Sequence, residues 1–290
     1  MDYTLQNEVL TLRVSGHGGE MKSIQTKDGT EYLWQGDPKY WKGQAPNLFP
    51  FIGRLTDKRY TIDGKPYSMN IHGFFRDFDL EAKQSDICLS LTLRDNEETW
   101  KVYPRAFRAS LIYRLKGNII EVTMEVENTG DKTMYFAYGG HPGFNVPMTE
   151  GKAFEDYYLE FSEPCQPRRV GLSTSALVEG PWTPYVLEDD RRLPLRHNLF
   201  DNDAVVLTDM DRAVSIRCKD DSRGVTVSFP QMPFVGFWHM SDLDAPYVCI
   251  EPWSSLPGRQ DVIEAFETKE DMISLEPGKI YQNTWSITIY

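Results

Sequence analysis

The residues best equipped for chemistry are one glutamate and two histidines, each set in an irregular, aromatic-rich stretch. His72 lies in HGFFRD (72–77), His141 in YGGHPGFN (138–145) and Glu251 in CIEPWSSLPG (249–258). A fourth stretch, NLFPFIGRL (47–55), carries Arg54, and Arg76 follows His72 within its own stretch. Glycine and proline beside His141 disfavour a helix or an interior ladder position, one through backbone entropy and the other through its missing N–H. His141 is therefore predicted in a turn at the end of a β-patterned segment. Such loops present side chains from a rigid scaffold, and aromatic faces suit the apolar C–H faces of a sugar.

Each of these residues also has a plainer reading. His72 either donates to a ligand oxygen or caps a local backbone carbonyl. Arg54 and Arg76 are either ligand contacts or ordinary surface ion pairs, worth ~0–1 kcal/mol. Glu251 follows the apolar run YVCI and precedes Pro252 and Trp253. A buried carboxylate is costly without a partner, so a pocket wall accounts for it more economically than an edge-strand ion pair. His17, His197 and His239 lack comparable settings, and His239, in VGFWHM, reads as a satisfied core histidine.

Two histidines and a glutamate permit two chemistries. A 2-His-1-carboxylate set can hold a metal, and the same groups can serve as general acid and base. Metal sites in compact β folds draw on clustered ligands such as His-x-His on one strand. This chain has no such pair, and acid–base work needs none, so no metal is expected. Glycosidase chemistry needs a carboxylate pair flanking the bond, and only Glu251 has a cleft-like setting.

Period-two alternation supplies the elements that must hold these loops. Leu89, Leu91 and Leu93 continue a pattern begun at Ile87. Phe107, Ala109, Leu111, Tyr113 and Leu115 alternate with mostly polar residues, KGN turns the chain, and Ile120, Val122, Met124 and Val126 alternate in return. That pattern predicts a hairpin with one face on a core. KDGTEY and IDGKPY place Asp-Gly between strand-like residues, and VTVSF and WSITIY supply later strands. No amphipathic helix stands out beyond a short turn at DVIEAFE (261–267), and no repeat or low-complexity linker is present. The expected architecture is all-β, a large antiparallel β-sandwich formed as a single domain over 1–290. The proline-rich passage 163–194 reads as a surface excursion.

The chain has 290 residues, 40% of them hydrophobic, enough to bury a full core. Its formal charge of −12 and pI near 4.9 disfavour phosphate backbones and anionic lipid, so neither nucleic acid nor membrane is an expected partner. The opening MDYTLQNEVLTLRV has no basic segment followed by an apolar one, and no run of about 18 apolar residues occurs. A soluble cytoplasmic protein is expected, a monomer or homodimer. The four cysteines, at 88, 165, 218 and 249, are far apart and read as buried thiols.

The four stretches, in this order, resemble the aldose 1-epimerase (mutarotase) superfamily, in particular its LacX-like branch. The resemblance runs over nearly the whole chain. It implies a galactose-mutarotase-like β-sandwich with a sugar cleft, working without metal or cofactor. By motif, Glu251 would take the proton from the C1 hydroxyl and His141 would protonate the ring oxygen. His72 would hydrogen-bond near that oxygen, and Arg54 would bind sugar hydroxyls. The family's sugar-binding aspartate should lie in LFDNDAVVL, at Asp203 with Asp201 as the alternative. HGF-x-R and EP are shared with the hexose-6-phosphate epimerase branch, where Arg76 would meet the phosphate. A sugar-binding protein without catalysis is the third reading.

Overall fold

The alternation seen in the sequence becomes a nine-stranded antiparallel sheet. The computed structural model describes residues 1–290. Phe107–Lys116 and Ile119–Asn128 pair from Phe107↔Asn128 to Lys116↔Ile119, with Gly117 at φ 58° making the turn. Cys88–Arg94 and Glu81–Ser85 extend the sheet on one side. Ile280–Ile289, Val225–Ser228, Ala213–Cys218, Tyr157–Phe161 and Arg192–Pro194 extend it on the other. Leu89, Leu111, Tyr113, Val122 and Met124 are fully buried on the inner face, each contributing roughly 1.5–3 kcal/mol of hydrophobic stabilisation. Ile87, the first residue of the predicted alternation, is exposed in the turn before the strand.

An eight-stranded sheet packs on this face. Its central members are Val205–Thr208, Phe234–Trp238 and Tyr247–Trp253, joined by the short segments Gly139–Gly140, Gly143–Asn145 and Asn47–Leu48. Successive side chains of a strand point to opposite faces, and Tyr247–Trp253 shows this in its packing. Val248 and Ile250 join the main core of 64 buried residues, which also holds Val122 and Met124. Tyr247 and Cys249 join one small cluster and Trp253 another on the far side. Glu251, in phase with those, faces away from the main core, so the outer face of this sheet carries the site.

Three local expectations change. DVIEAFE forms no helix: Glu264–Ala265 pairs in parallel with Arg59–Ile62, and Phe266 stacks on Tyr60 with ring centroids 3.9 Å apart. The α-helix of the structure is Glu97–Val102, whose Asn96 side chain accepts from the N–H groups of Glu98 and Thr99, a capping pattern that offsets its shortness. Gly139 and Gly140 are laddered, not turned. A Cβ at Gly140 would sit 2.6 Å from the Trp285 ring and one at Gly139 2.9 Å from the Pro252 carbonyl, so close packing requires both glycines. The passage 163–194 contributes only two- and three-residue strands at the sheet margins. All four cysteines are free; Cys218 and Cys249 are buried, whereas Cys88 and Cys165 are partly exposed.

Candidate active site

The strand pairing around Tyr247–Trp253 sets the site. Gly139 pairs with Trp253 and Gly143 with Cys249. The same register carried between them places His141 directly across from Glu251. Pro142 cannot donate to the ladder, and the chain there runs without strand hydrogen bonding while Ile250 donates to the Pro142 carbonyl at 3.2 Å. The result is a histidine on a strand-like path whose ring is free to meet the carboxylate: His141 Nε2 lies 3.2 Å from Glu251 Oε2.

Both groups are nearly buried, His141 at 8% and Glu251 at 1% exposure. The 3.2 Å approach lacks hydrogen-bond alignment, which leaves Glu251 Oε2 without a hydrogen-bond partner; the other ring nitrogen, His141 Nδ1, is also buried without one. Burial pushes the Glu251 carboxyl well above its ordinary range; Asp203 adds to the rise and the Trp253 indole opposes it. Burial lowers the His141 imidazole to about 3, with Arg76 adding to the fall. Both shifts favour uncharged forms, as desolvation dictates. The pair therefore rests with its exchangeable proton on Glu251 and with two buried polar atoms unpartnered.

His72 follows a different logic. Its Nδ1 accepts from the Gly53 N–H at 3.1 Å. An acceptor nitrogen carries no proton, so the ring proton is on Nε2. Burial holds the ring well below its ordinary pKa, helped by His141, Arg76 and Arg54. The reading in which His72 caps a local backbone carbonyl does not hold: its ring receives a backbone N–H on one nitrogen and keeps the other as a neutral donor. Its ring meets that of His141 edge-on, with centroids 5.5 Å apart.

The predicted residues converge. Arg54, His72, Arg76, His141, Asp203 and Glu251 all line one cavity of about 710 Å³, and Asp201 lies on the same wall. Arg54 makes no ion pair, whereas Arg76 donates to the Ile71 carbonyl at 3.0 Å and approaches Asp77 at 3.9 Å. Asp203 has φ 68° and its carboxylate accepts from the Ala204 N–H at 2.9 Å. That left-handed backbone suits aspartate better than most residues. Asp203 also acts on the Glu251 carboxyl, whereas the Asp201 carboxylate acts on His239. His239 is fully buried, its Nδ1 against the Met240 carbonyl at 2.8 Å and its Nε2 against His197 at 3.1 Å, the satisfied histidine expected of it.

Sequence reasoning passed over the aromatic wall. Trp41 stacks on His141 at 5.0 Å and Trp238 meets the same ring edge-on at 5.5 Å; both indoles line the cavity. No local pattern marked either indole, because the contact with His141 is long-range in sequence. The ligand atoms of His141, Cys249 and Glu251 lie within 4.8 Å of one another, and His72 is outside that group. The 2-His-1-carboxylate arrangement is thus not assembled.

The sequence model of the aldose 1-epimerase family matches residues 1–288. Protein LacX, chromosomal, from Lactococcus lactis subsp. lactis is 35% identical, with 100% of this chain and 99% of that protein covered. A galactose mutarotase related enzyme from Lactobacillus acidophilus superposes with a TM-score of 0.94 at 35% identity, covering 100% of this chain and 97% of that one. A galactose mutarotase-like protein from Lactobacillus casei ATCC 334 gives 0.93 at 28% identity over the full length of both. The fold is the β-sandwich of these structures, no helix in it is long and apolar enough to cross a membrane, and the chain belongs to the aldose 1-epimerase family.

Proposed function

We propose that the protein interconverts the α and β anomers of a free hexose, with Glu251 and His141 as its proton-transfer pair. The observation that carries this reading is the buried 3.2 Å pair with unused hydrogen-bonding capacity on the cavity wall. Ring opening moves the C1 hydroxyl proton to Glu251 and a proton from His141 to the ring oxygen. Transfer starts from the carboxylate–imidazolium form, reached when the resting Glu251 proton moves to His141 across the 3.2 Å pair, and ends as carboxyl and imidazole, beside a neutral open-chain aldehyde. Burial stabilises that second arrangement, which is how the site favours opening. Rotation about C1–C2 and the reverse transfers close the other anomer. The pair gives one proton to the sugar and takes one from it, so its own proton count is unchanged and the step calls on no other proton carrier.

His72 Nε2–H supplies a neutral donor near the ring oxygen, and Arg54 and Asp203 hold hydroxyl groups. The indoles of Trp41 and Trp238 offer faces to sugar C–H groups. A free sugar is favoured over its 6-phosphate by the charge of the wall. Glu20, Asp77, Asp201 and Asp203 make four carboxylates besides Glu251, against the two guanidinium groups of Arg54 and Arg76.

Polarimetry of freshly dissolved α-anomers across an aldose panel, hexose 6-phosphates included, tests the reading. Rapid approach to the equilibrium rotation is expected with wild type and not with Glu251→Gln. Tight sugar binding with no acceleration by wild type would establish a binding protein instead.

A further inference from the structure

Cys249 has no part in the proton transfers, yet its side chain lies on the same strand face as Glu251, two residues away, and shares the 4.8 Å cluster with Glu251 and His141. We propose that His141, Cys249 and Glu251 form an inhibitory zinc site, with one Zn²⁺ held by imidazole nitrogen, thiolate sulfur and carboxylate oxygen at the wall of the sugar cavity.

The donor set is the kind zinc prefers, and zinc bonds of about 2.0–2.3 Å place tetrahedral ligand atoms ~3.3–3.6 Å apart. The His141–Glu251 separation of 3.2 Å already meets that spacing. The rest of the cluster closes by about an ångström. Glu251 Oε2, the carboxylate oxygen of that close pair, is buried and unpartnered, so the protein itself leaves an acceptor unmet where a metal would satisfy it. His141 and Glu251 both line the cavity, which gives the ion a way in, and the fourth position would face the cavity and take water.

Charge fits as well. Coordination replaces the thiol and carboxyl protons, releasing two protons, and one dication with two anions leaves no net charge to bury. Calcium and magnesium prefer all-oxygen sites, so a soft thiolate selects zinc or cobalt over them. With both proton-carrying groups engaged by the metal, the pair cannot exchange protons with a sugar. The inhibitory half of the proposal rests on the reading of His141 and Glu251 as the acting pair, whereas the binding half stands without it.

Cobalt(II) added to the full-length protein tests the binding half. A thiolate-to-cobalt absorption band in the near ultraviolet is expected in wild type and absent in Cys249→Ser, with Cys249→Ala as a second variant and circular dichroism as the check on folding. This band requires no turnover, so it reads the site whatever polarimetry finds. For the inhibitory half, zinc should slow mutarotation and chelator should restore it. Cys249→Ser should keep basal turnover and need at least tenfold more zinc for the same loss. Absence of the band in wild type, or a zinc response unchanged in folded Cys249→Ser, overturns the proposal.

Discussion

His72 and Gly53 hold each other through two reciprocal bonds: the His72 backbone N–H donates to the Gly53 carbonyl at 3.0 Å, and the Gly53 N–H donates to His72 Nδ1 at 3.1 Å. The backbone of His72 is at φ 67° to allow this, and a Cβ at the neighbouring Gly73 would lie 2.2 Å from the Phe49 carbonyl oxygen. The ring is fixed in position and in tautomer by main-chain atoms alone. Two of the four sequence stretches are thereby tied together, the one bearing Arg54 and the one bearing Arg76.

This locks a prediction about His72. Nitrogen-15 NMR should find its proton on Nε2, with no titration near the ordinary imidazole value of 6.5, because burial and the neighbouring cations disfavour the charged ring. His72→Ala should lower kcat by on the order of 10²-fold, the usual effect of losing one aimed donor. A ring that titrates near 6.5, or carries its proton on Nδ1, contradicts the assignment.

The pH profile follows from the shared proton. Below about 3 His141 joins Glu251 in being protonated and no base remains. Above the raised Glu251 ionisation the pair has lost its exchangeable proton and no acid remains. The kcat/KM profile of the free enzyme should be a broad plateau, with an acid limb near 3 and an alkaline limb well above ordinary carboxylate values, each belonging to the pair. An alkaline limb near 4.5 would show that Glu251 is not desolvated in solution.

The same shifts predict stability. Glu251 has a folded pKa raised above its unfolded value, so its contribution is present below 4.5 and lost as pH rises through the folded value. Glu251→Gln should therefore raise Tm at pH 8, with the gain shrinking towards pH 4.5. The depressed pKa of His141 acts in the other direction: stability is full above 6.5 and falls as pH drops towards 3. A Glu251→Gln protein less stable than wild type at pH 8 would mean that the carboxylate is satisfied there.

The large sheet was legible because Phe107–Lys116 and Ile119–Asn128 each bury one face for ten residues. That is long enough for a period of two to declare itself. Asn47–Leu48 and Gly139–Gly140 are two residues long, too short to show a period, and they exist only through partners distant in sequence. DVIEAFE misleads because Val262, Ile263, Ala265 and Phe266 crowd together at spacings a helix would also use, while the packing of Phe266 on Tyr60 is non-local. The candidate residues were visible as charged groups among Gly, Pro and aromatics. That His141 faces Glu251 across a ladder is a matter of register, which no local pattern encodes. Trp41 was invisible for the same reason: only the fold brings it over His141.

If Glu251 and His141 act as one proton circuit, Glu251→Gln and His141→Asn should each cost on the order of 10²–10⁴ in kcat. The double variant should cost clearly less than the product of the two, because the second change removes a group already idle. Polarimetry at saturating sugar reads this directly. Multiplicative losses would mean that the two residues work independently, and wild-type turnover in Glu251→Gln would place the base elsewhere.

The phosphate question turns on Arg54, which is the arginine of the cavity with no ion-pair partner. If a free hexose is the substrate, Arg54→Ala and Arg76→Ala should each change kcat/KM for the hexose and for its 6-phosphate by similar factors. A loss confined to the 6-phosphate, measured in the same assay, would move the assignment to phosphosugars.

Gly43 tests whether the aromatic wall aims His141 or merely covers it. A Cβ at Gly43 would come within 2.6 Å of the Trp41 ring, closer than real Cβ contacts, so Gly43→Ala must displace the indole. Trp41 is otherwise held by the Trp34 Nε1–H, which donates to its carbonyl at 2.9 Å, by an edge contact with Trp238 at 5.4 Å and by stacking on Tyr247 at 5.7 Å. The His141 ring stacks on the same indole. An error of about 1 Å in the placement of a proton-transfer group can cost ~10²-fold, so Gly43→Ala should lower kcat by tenfold or more while Tm changes little. Trp41→Phe keeps an aromatic face and should lose less than Trp41→Ala. The ring-current shift on the His141 protons gives a reading independent of turnover: it should change in Gly43→Ala and collapse in Trp41→Ala. A Gly43→Ala protein with wild-type kcat and an altered shift would show that the indole moves without consequence, and His141 would then owe its aim to the strand register alone.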